Sequence, residues 1–396
     1  MIEKKFASEL RKKSVDDLKK YQFIGAEIKS SRLKLSKTLD AIGNVNRSIS
    51  YISKIENNKI VPNKRCLMEL CDELFISKED LESMECFDEY ILEAIETIYF
   101  KDEIKMKEIF SKYESFKNTR TNLIKGLYYF MFDDHTQIKS VIKSLVKIES
   151  SLSIEDYLVY ILLCVKDFIL DKNVVQAYKI LSVVLESKTA TDTLYNVFKM
   201  MEFDLKISFN LFKFDNDYFD VIKMHVLKNN IIRIEECVKK YERMQIDLLD
   251  SSITENEIKR LSTDELRFYA YCLRGEIDKA QKYFDENIAD EFRLLYYFKL
   301  NELEEIKNMI NTSLTEENMI LANAYKYSLE GNAELYRTFL INICIPYFKG
   351  VVKVKMLLHF YNILLELSSK TAKYKESNTY GREIVKMLQE LSVLIS

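Results

Sequence analysis

Only two prolines and seven glycines interrupt the 396 residues of this chain. These two residue types break helices most often, so their scarcity allows one long helix to follow another. Beyond residue 85 most segments, such as residues 87–95, place apolar side chains at helical spacing. No segment has the alternating pattern of a strand. The sequence therefore predicts an all-α fold.

Residues 23–76 contain caps and turns that are typical of short, closely packed helices. Thr38 is expected to cap a short helix ending at Gly43, because its hydroxyl can accept a free N–H. Gly43 is expected where a second helix crosses closely, since a side chain there would hold the two helices apart. After the polar turn of residues 44–47, either Ser48 or Ser50 can cap the next helix.

The helix that follows this turn is expected to have one buried face and one exposed face. Ile49, Ile52 and Ile55 recur every three residues and predict its buried stripe. The residues off the stripe can face a major groove of DNA; they are Ser50, Tyr51, Ser53 and Lys54.

The sequence also predicts where this helix ends. Asn57 or Asn58 can stop it in a left-handed conformation. Pro62 blocks further helix, and Asn63 can cap the next one, which is expected over residues 64–75.

The stretch from Ile24 to Leu74 resembles the phage-repressor (XRE/Cro-type) helix-turn-helix. The positions that carry the resemblance are Ile24-Gly25, Glu27-Ile28-Lys29, Arg32, Thr38, Ser50-Tyr51-Ile52-Ser53-Lys54-Ile55-Glu56, Pro62 and Leu74. It implies binding to double-stranded DNA, usually at a palindromic operator. The expected DNA-binding residues are Lys29, Arg32, Thr38, Ser48, Ser50, Tyr51, Ser53, Lys54, Asn58 and Lys59. In that family the acid at Glu56 is usually structural and pairs with an arginine of the first helix, here Arg32.

Two departures from the phage-repressor pattern are informative. The segment from Ile42 to Ser53 is one residue shorter, which is similar to the Rgg and PlcR peptide-pheromone receptors. Leu39 stands where a DNA-contacting glutamine is common. The base contacts are therefore expected to differ from the family's usual set.

Charge changes sign at the end of this stretch. Residues 1–65 hold 16 Lys/Arg and 7 Asp/Glu, a net charge of +9, whereas residues 66–100 hold one Lys and 11 acids, a net of −10. The basic part is expected to meet phosphates, so that binding falls with salt. The acidic part either keeps its helices off the DNA, covers the basic part, or is a solvated face.

These patterns predict three segments. Residues 1–20 form a charged extension, either a helix or a disordered basic arm. Residues 21–84 form the helix-turn-helix domain, called the head below. Residues 85–396 form a helical domain for sensing and dimerisation.

Within the helical domain, residues 266–284 resemble a tetratricopeptide repeat, with a small residue in the first helix, Gly275 at the turn, and an alanine and an aromatic in the second. The turns at Gly275, Asn301 and Gly331 are spaced more closely than the roughly 34 residues of a standard repeat. A helix pair cannot bury its own apolar face, so successive pairs are expected to stack into a right-handed α-solenoid with a concave surface.

A head of this type followed by such repeats resembles the Rgg, PlcR and arbitrium-receptor group, and residues 323–349 are most similar to the arbitrium receptors. The resemblance implies a cytoplasmic homodimeric regulator whose concave groove binds a short signalling peptide, for quorum sensing or a phage lysis–lysogeny decision. The peptide would change the spacing of two heads. Placement on first helices, together with polarity, selects these groove candidates: Asn196, Glu202, Asn210, Tyr297, Asn323 and Tyr327.

Some dimer contact is expected in the C-terminal half, since a palindromic operator needs two heads. The last helix, residues 382–395, either caps the solenoid or forms that contact. Two alternatives remain for the whole chain. One is a regulator whose solenoid binds a protein partner or only dimerises, and the other is a scaffold whose head contacts protein.

Other classes of function have little support. The seven cysteines are scattered and are expected to be reduced, buried thiols. The histidines His135, His225 and His359 are isolated in sequence, and no catalytic motif is present, so neither an enzyme nor a metal or cofactor is expected. The longest apolar run, residues 157–165, is shorter than the roughly 20 residues a membrane span needs.

Overall fold

A computed structural model describes residues 4–9, 24–43, 47–77, 79–80, 87–187, 190, 192–209, 215–351, 353–370 and 374–395. Over these ranges the chain forms 22 α-helices from Ile24 onwards, a helical segment at residues 4–9 and a few short 3-10 or π segments, with no strand. The predicted all-α class is therefore confirmed.

The helices group into two compact units, Met1–Glu202 and Phe203–Ser396. The predicted boundary between residues 84 and 85 lies inside the first unit. The helices that begin in this unit are α1 Ile24–Lys34, α2 Ile49–Glu56, α3 Lys64–Glu73, α4 Phe87–Phe100, α5 Glu103–Tyr113, α6 Thr119–Met131, α7 His135–Leu145, α8 Ile154–Leu170, α9 Val174–Ser187 and α10 Asp192–Phe209.

The second unit is also built from helices alone. Its helices are α11 Asp215–Leu227, α12 Ile231–Leu249, α13 Glu255–Arg260, α14 Asp264–Arg274, α15 Ile277–Ala280, α16 Asp290–Leu300, α17 Leu303–Ile310, α18 Glu316–Leu329, α19 Ala333–Phe339, α20 Ile345–Gly350, α21 Val354–Lys370 and α22 Tyr374–Ile395.

Helix α8 is the central helix of the first unit. Its apolar run, residues 157–165, is buried all round, because α6, α7 and α9 pack against it. Ser153 caps its first turn by accepting the N–H of Asp156, whose buried carboxylate pairs with Arg120 at 3.2 Å. An apolar helix without a polar face is thus explained by burial in protein.

Part of the N-terminal extension packs on this central helix. Residues 4–9 are helical. The ring of Phe6 is buried, with centroids 6.2 Å from Tyr157 and 6.4 Å from Tyr160, and Lys5 pairs with Glu149. The alternative of a helix is therefore confirmed for residues 4–9, and residues 10–20 lie outside the described part.

The second unit repeats one packing pattern. Helix α12 contacts α14, α14 contacts α16, and α16 contacts α18. The short helix α17 packs on both α16 and α18, and α19 packs on α18. Gly275, Asn301 and Gly331 end their helices with φ of 75°, 58° and 69°. This left-handed conformation favours glycine and asparagine, and the three predicted turns are confirmed.

Two further sequence expectations concern burial. Cys66, Cys71, Cys164, Cys237, Cys272 and Cys344 are free and buried, as predicted; Cys86 lies outside the described residues. Among the helices described, none combines the length and the apolar character that crossing a membrane requires.

Candidate functional sites

The head is built around a small apolar core. Ile28, Ile42, Ile52, Ile55 and Leu70 are almost fully buried and join α1, α2 and α3. The predicted stripe is correct for Ile52 and Ile55 but wrong for Ile49, which is 47% exposed. Ile49 is the first residue of α2, and the head's own helices leave it uncovered.

The predicted caps are present. Thr38 Oγ1 accepts the N–H of Ala41 at the start of a 3-10 turn. Ser48, of the two serines considered, caps α2 by accepting the N–H of Tyr51. Asn63 caps α3 in the same way. These side chains satisfy helix N–H groups that otherwise lack partners.

The close helix crossing was predicted at Gly43, but it lies at Gly25. A Cβ on Gly25 would come within 2.4 Å of the carbonyl oxygen of Ile55 and 2.3 Å of Asn58 Oδ1. A Cβ on Gly43 would meet carbonyl oxygens of its own turn, and none closer than 3.3 Å. The requirement for a missing side chain therefore falls on the first helix.

Arg32 and Glu56 form a buried ion pair across the head. Arg32 Nε donates to Glu56 Oε1 at 2.6 Å, and Nη2 donates to Oε2 at 2.9 Å. This hydrogen bonding to Glu56 raises the pKa of Arg32. The pairing predicted for these two residues is confirmed, so the Arg32 guanidinium is engaged inside the protein.

The exposed surface of α2 and its flanking turns carries most of the residues predicted to bind DNA. Ser50 and Lys54 lie four residues apart and so share one face of the helix. Tyr51 and Ser53 are half-buried. The exposed members of the predicted set are Thr38, Ser48, Ser50, Lys54 and Lys59. This face presents hydroxyls and two ammonium groups to solvent.

Tyr51 packs against the core of the head. It contacts the head's core together with Leu39, the residue that replaces the usual glutamine. Burial, with a smaller effect of the neighbouring Cys66, raises the pKa of Tyr51. A neutral phenol beside apolar groups is thus positioned at the edge of the exposed face.

Two residues of the predicted set attach the head to later helices of the same unit. Lys29 Nζ donates to the hydroxyls of Ser150 and Ser151 at 2.9 and 3.1 Å. Asn58 has a φ of 53°, as predicted for one of the two asparagines, and its Nδ2 donates to the carbonyl of Ser151 at 2.6 Å. Burial lowers the pKa of Lys29.

Glu27 completes this attachment, and the sequence did not single out its function. Its Oε2 accepts the buried N–H of Thr119, the first residue of α6, at 2.7 Å. A carboxylate at a helix start satisfies a free N–H and complements the helix dipole. We call the set of Glu27, Lys29 and Asn58 with their partners the head anchor.

Arg47 is a second residue whose structural contacts the sequence did not reveal. It is buried directly before the cap Ser48, and its Nη2 donates to Glu73 Oε2 at 2.9 Å. Its Nε and Nη1 are buried without a hydrogen-bond partner among the described residues. Glu73 and Glu69, from the acidic stretch, thus pair with the head's own Arg47 and Arg65.

The second unit contains a group of charged and aromatic side chains, which we call the charged recess. Arg243 and Asp247 lie one turn apart on α12. Arg243 Nη1 pairs with Glu291 on α16, and its guanidinium lies 4.9 Å from the ring centroid of Phe292. The side chain of Arg243 nevertheless remains 40% exposed.

Asp247 connects two further helices to the recess. Its Oδ1 accepts the hydroxyl of Tyr269 on α14 and the ammonium of Lys355 on α21, the latter at 3.0 Å. Tyr269 stacks on Phe292 with centroids 4.2 Å apart. Burial, followed by the Asp247 carboxylate, raises the pKa of Tyr269 well above its usual value. The recess therefore combines two cations, two anions and an aromatic wall.

Comparison of the chain with protein-family models, with curated proteins and with solved structures found no match. The α2 face presents hydroxyl and ammonium groups to solvent, and the charged recess combines both signs of charge.

The residues predicted to bind peptide are divided between the two units, as far as they are described. Asn196 and Glu202 are buried in the first unit, where Glu202 pairs with Lys199 at 2.7 Å. In the second unit, Tyr297 and Tyr327 pack at the edge of an apolar core, and Asn323 Nδ2 donates to the carbonyl of Met319 in its own helix. Asn210 lies outside the described residues.

The histidines differ from one another. His225 is fully buried, and burial, with a smaller effect of Arg233, lowers its pKa to about 4. Burial, with the nearby Lys355, lowers the pKa of His359. His135, isolated in sequence, lies beside Asp167 and Asp171 in space.

Proposed function

We propose that this protein is a DNA-binding transcriptional regulator. Its head would act as a helix-turn-helix unit, with α2 as the recognition helix in a major groove. Support comes from the α2 face, where Ser50 and Lys54 are exposed beside the capped helix start at Ser48. The positive end of the helix dipole and the ammonium groups both favour phosphate.

We further propose that the second unit is a solenoid whose charged recess binds a short signalling peptide. The recess residues Arg243, Tyr269, Glu291 and Lys355 come from four helices, of which α14 and α16 are first helices of successive pairs. A peptide carries an amine, a carboxylate and backbone amides, so it can exchange partners with both ion pairs of the recess. This observation carries the peptide proposal.

The DNA proposal is tested with the full chain and a fluorescent duplex of the promoter upstream of its gene. Lys54→Ala should weaken binding and reduce the salt dependence of affinity by about one counterion. Lys107→Ala removes another exposed lysine, on α5, and serves as the matched control. Equal affinities for Lys54→Ala and the unaltered chain at near-physiological salt would contradict the proposed orientation of α2.

The peptide proposal is tested by calorimetry with synthetic peptides encoded beside the gene. Arg243→Gln should weaken binding at least about tenfold, because one charge-assisted hydrogen bond contributes about 1.5–3 kcal/mol. Arg382→Gln, at an exposed arginine of α22, is the control. Absence of binding by every peptide, with a folded chain, would favour a second unit that binds protein or only dimerises.

A further inference from the structure

Three potential metal ligands meet where α7 begins and α8 ends. His135 is the first residue of α7, and Asp167 and Asp171 lie one turn apart at the end of α8. His135 Nε2 lies 3.0 Å from Asp167 Oδ1 and 3.4 Å from Asp171 Oδ1. Among the described residues, this is the one group of three such donors whose ligand atoms all lie within 4.8 Å of one another.

These separations match the edges of a coordination polyhedron. Zinc binds histidine nitrogen and carboxylate oxygen at about 2.0–2.2 Å. Two such donors are then about 3.0 Å apart at a right angle and about 3.4 Å apart at a tetrahedral angle. The two distances from the imidazole nitrogen therefore fit donors to one ion, and the two carboxylates offer oxygens within 4.8 Å of each other.

The surroundings favour a cation. The two carboxylates lie on one face of α8, where like charges four residues apart repel. They also lie at the helix C-terminus, the negative end of the dipole.

An ammonium group already balances part of the negative charge of the two carboxylates. Lys139 Nζ lies 2.7 Å from Asp171 Oδ1, and its side chain is 40% exposed. A second lysine, Lys166, pairs with Asp133 beside the site. A flexible, solvated lysine can leave Asp171, whereas the histidine and the aspartates are carried by two packed helices.

We propose that His135, Asp167 and Asp171 bind a divalent first-row transition metal ion, with Zn²⁺ as the best fit. An imidazole beside carboxylates suits zinc, cobalt or manganese, whereas calcium and magnesium prefer oxygen ligands alone. Three protein ligands leave room for water on the ion. The ion would tie the start of α7 to the end of α8.

The test uses the metal-free full chain, dialysed against chelator and titrated with ZnCl₂ in a calorimeter. One ion should bind per chain, and Co²⁺ should give a visible absorption band from the same site. His135→Ala should weaken binding at least about tenfold, because even an outer partner of a metal ligand contributes a factor of 10–100. The buried cysteines are excluded as ligands if a thiolate charge-transfer band is absent.

Lys139→Ala distinguishes a metal site from a simple ion-pair network. If the proposal is correct, this variant binds Zn²⁺ more tightly, since the competing ammonium is gone, whereas Lys166→Ala changes affinity less. If Lys139→Ala leaves the affinity unchanged or weakens it, or if His135→Ala binds as well as the unaltered chain, the three residues form only an ion-pair network.

Discussion

Arg32 donates two parallel hydrogen bonds to Glu56, and both side chains are at least nine-tenths buried. The pair joins α1 to the last residue of α2. A two-point contact fixes the orientation of both groups as well as their distance. The crossing of the first two helices of the head is thus held by charge as well as by apolar packing.

Removal of one partner should be costly. Glu56→Ala leaves the Arg32 guanidinium buried without its counter-charge, and the expected loss in the free energy of unfolding is about 3–5 kcal/mol. The measurement is urea denaturation of the full chain. Glu69→Ala removes the exposed pair with Arg65 and should cost at most about 1 kcal/mol. Similar losses in the two variants would contradict the buried role of Glu56.

The two glycines of the head should respond differently to alanine. In Gly25→Ala the new Cβ meets two backbone carbonyl oxygens closer than 3.0 Å, and those atoms cannot rotate away. A loss of about 1–3 kcal/mol is expected from overpacking. Gly43→Ala meets its neighbours at 3.3 Å or more with an ordinary φ of −78° and should cost less. Thermal denaturation of both variants would reveal the order, and the reverse order would contradict the close crossing at Gly25.

The head anchor can be weakened at one atom. Asn58→Asp keeps an acceptor for the N–H of Gly25 but places an oxygen against the carbonyl of Ser151. Loss of that hydrogen bond should cost about 1–3 kcal/mol. The effect should be largest where the head contacts residues 150–151. Hydrogen exchange of these residues should accelerate more than exchange within α2. An unchanged exchange pattern would mean that Asn58 contributes little to the anchor.

Acid should destabilise the second unit through His225. Above pH 6.5 the imidazole is neutral in both states, so it contributes no pH dependence. Between pH 6.5 and its folded pKa of about 4, only the unfolded chain takes up the proton. Stability should therefore fall with falling pH, by up to about 1.4 kcal/mol per unit from this group.

His225→Gln, which does not titrate, should have a shallower dependence of the free energy of unfolding on pH in this window. Some slope should remain, because the pKa of His359 is also lowered. Equal slopes for His225→Gln and the unaltered chain would mean that His225 does not titrate as its burial implies.

Local features of this fold were predictable from sequence because their causes are local. Ser48 and Asn63 cap the helices directly after them by accepting an N–H three residues further along, and Gly275 and Asn301 end helices through their own backbone angles. The apolar period also predicted the helical class. Each of these depends on neighbours within one or two turns.

Features that depend on distant segments were not predictable. Ile49 fits the period of a buried stripe, yet no helix of the head covers it. The charged recess brings Lys355 to Asp247, 108 residues away, and Glu291 to Arg243, 48 residues away. No local spacing relates such residues, and Glu27 is equally ordinary in sequence although it caps a helix start 92 residues later.

The head anchor has a consequence for the operator that the proposed regulator would recognise. A recognition helix joined to its protein by a flexible linker can reach half-sites at several separations. Here hydrogen bonds from Lys29 and Asn58 attach the head to residues 150–151. One inserted base pair shifts a half-site by about 3.4 Å and rotates it by roughly a tenth of a turn. A fastened head can follow that rotation only together with residues 150–151, so an added base pair in the spacer should require the first unit to move as a whole.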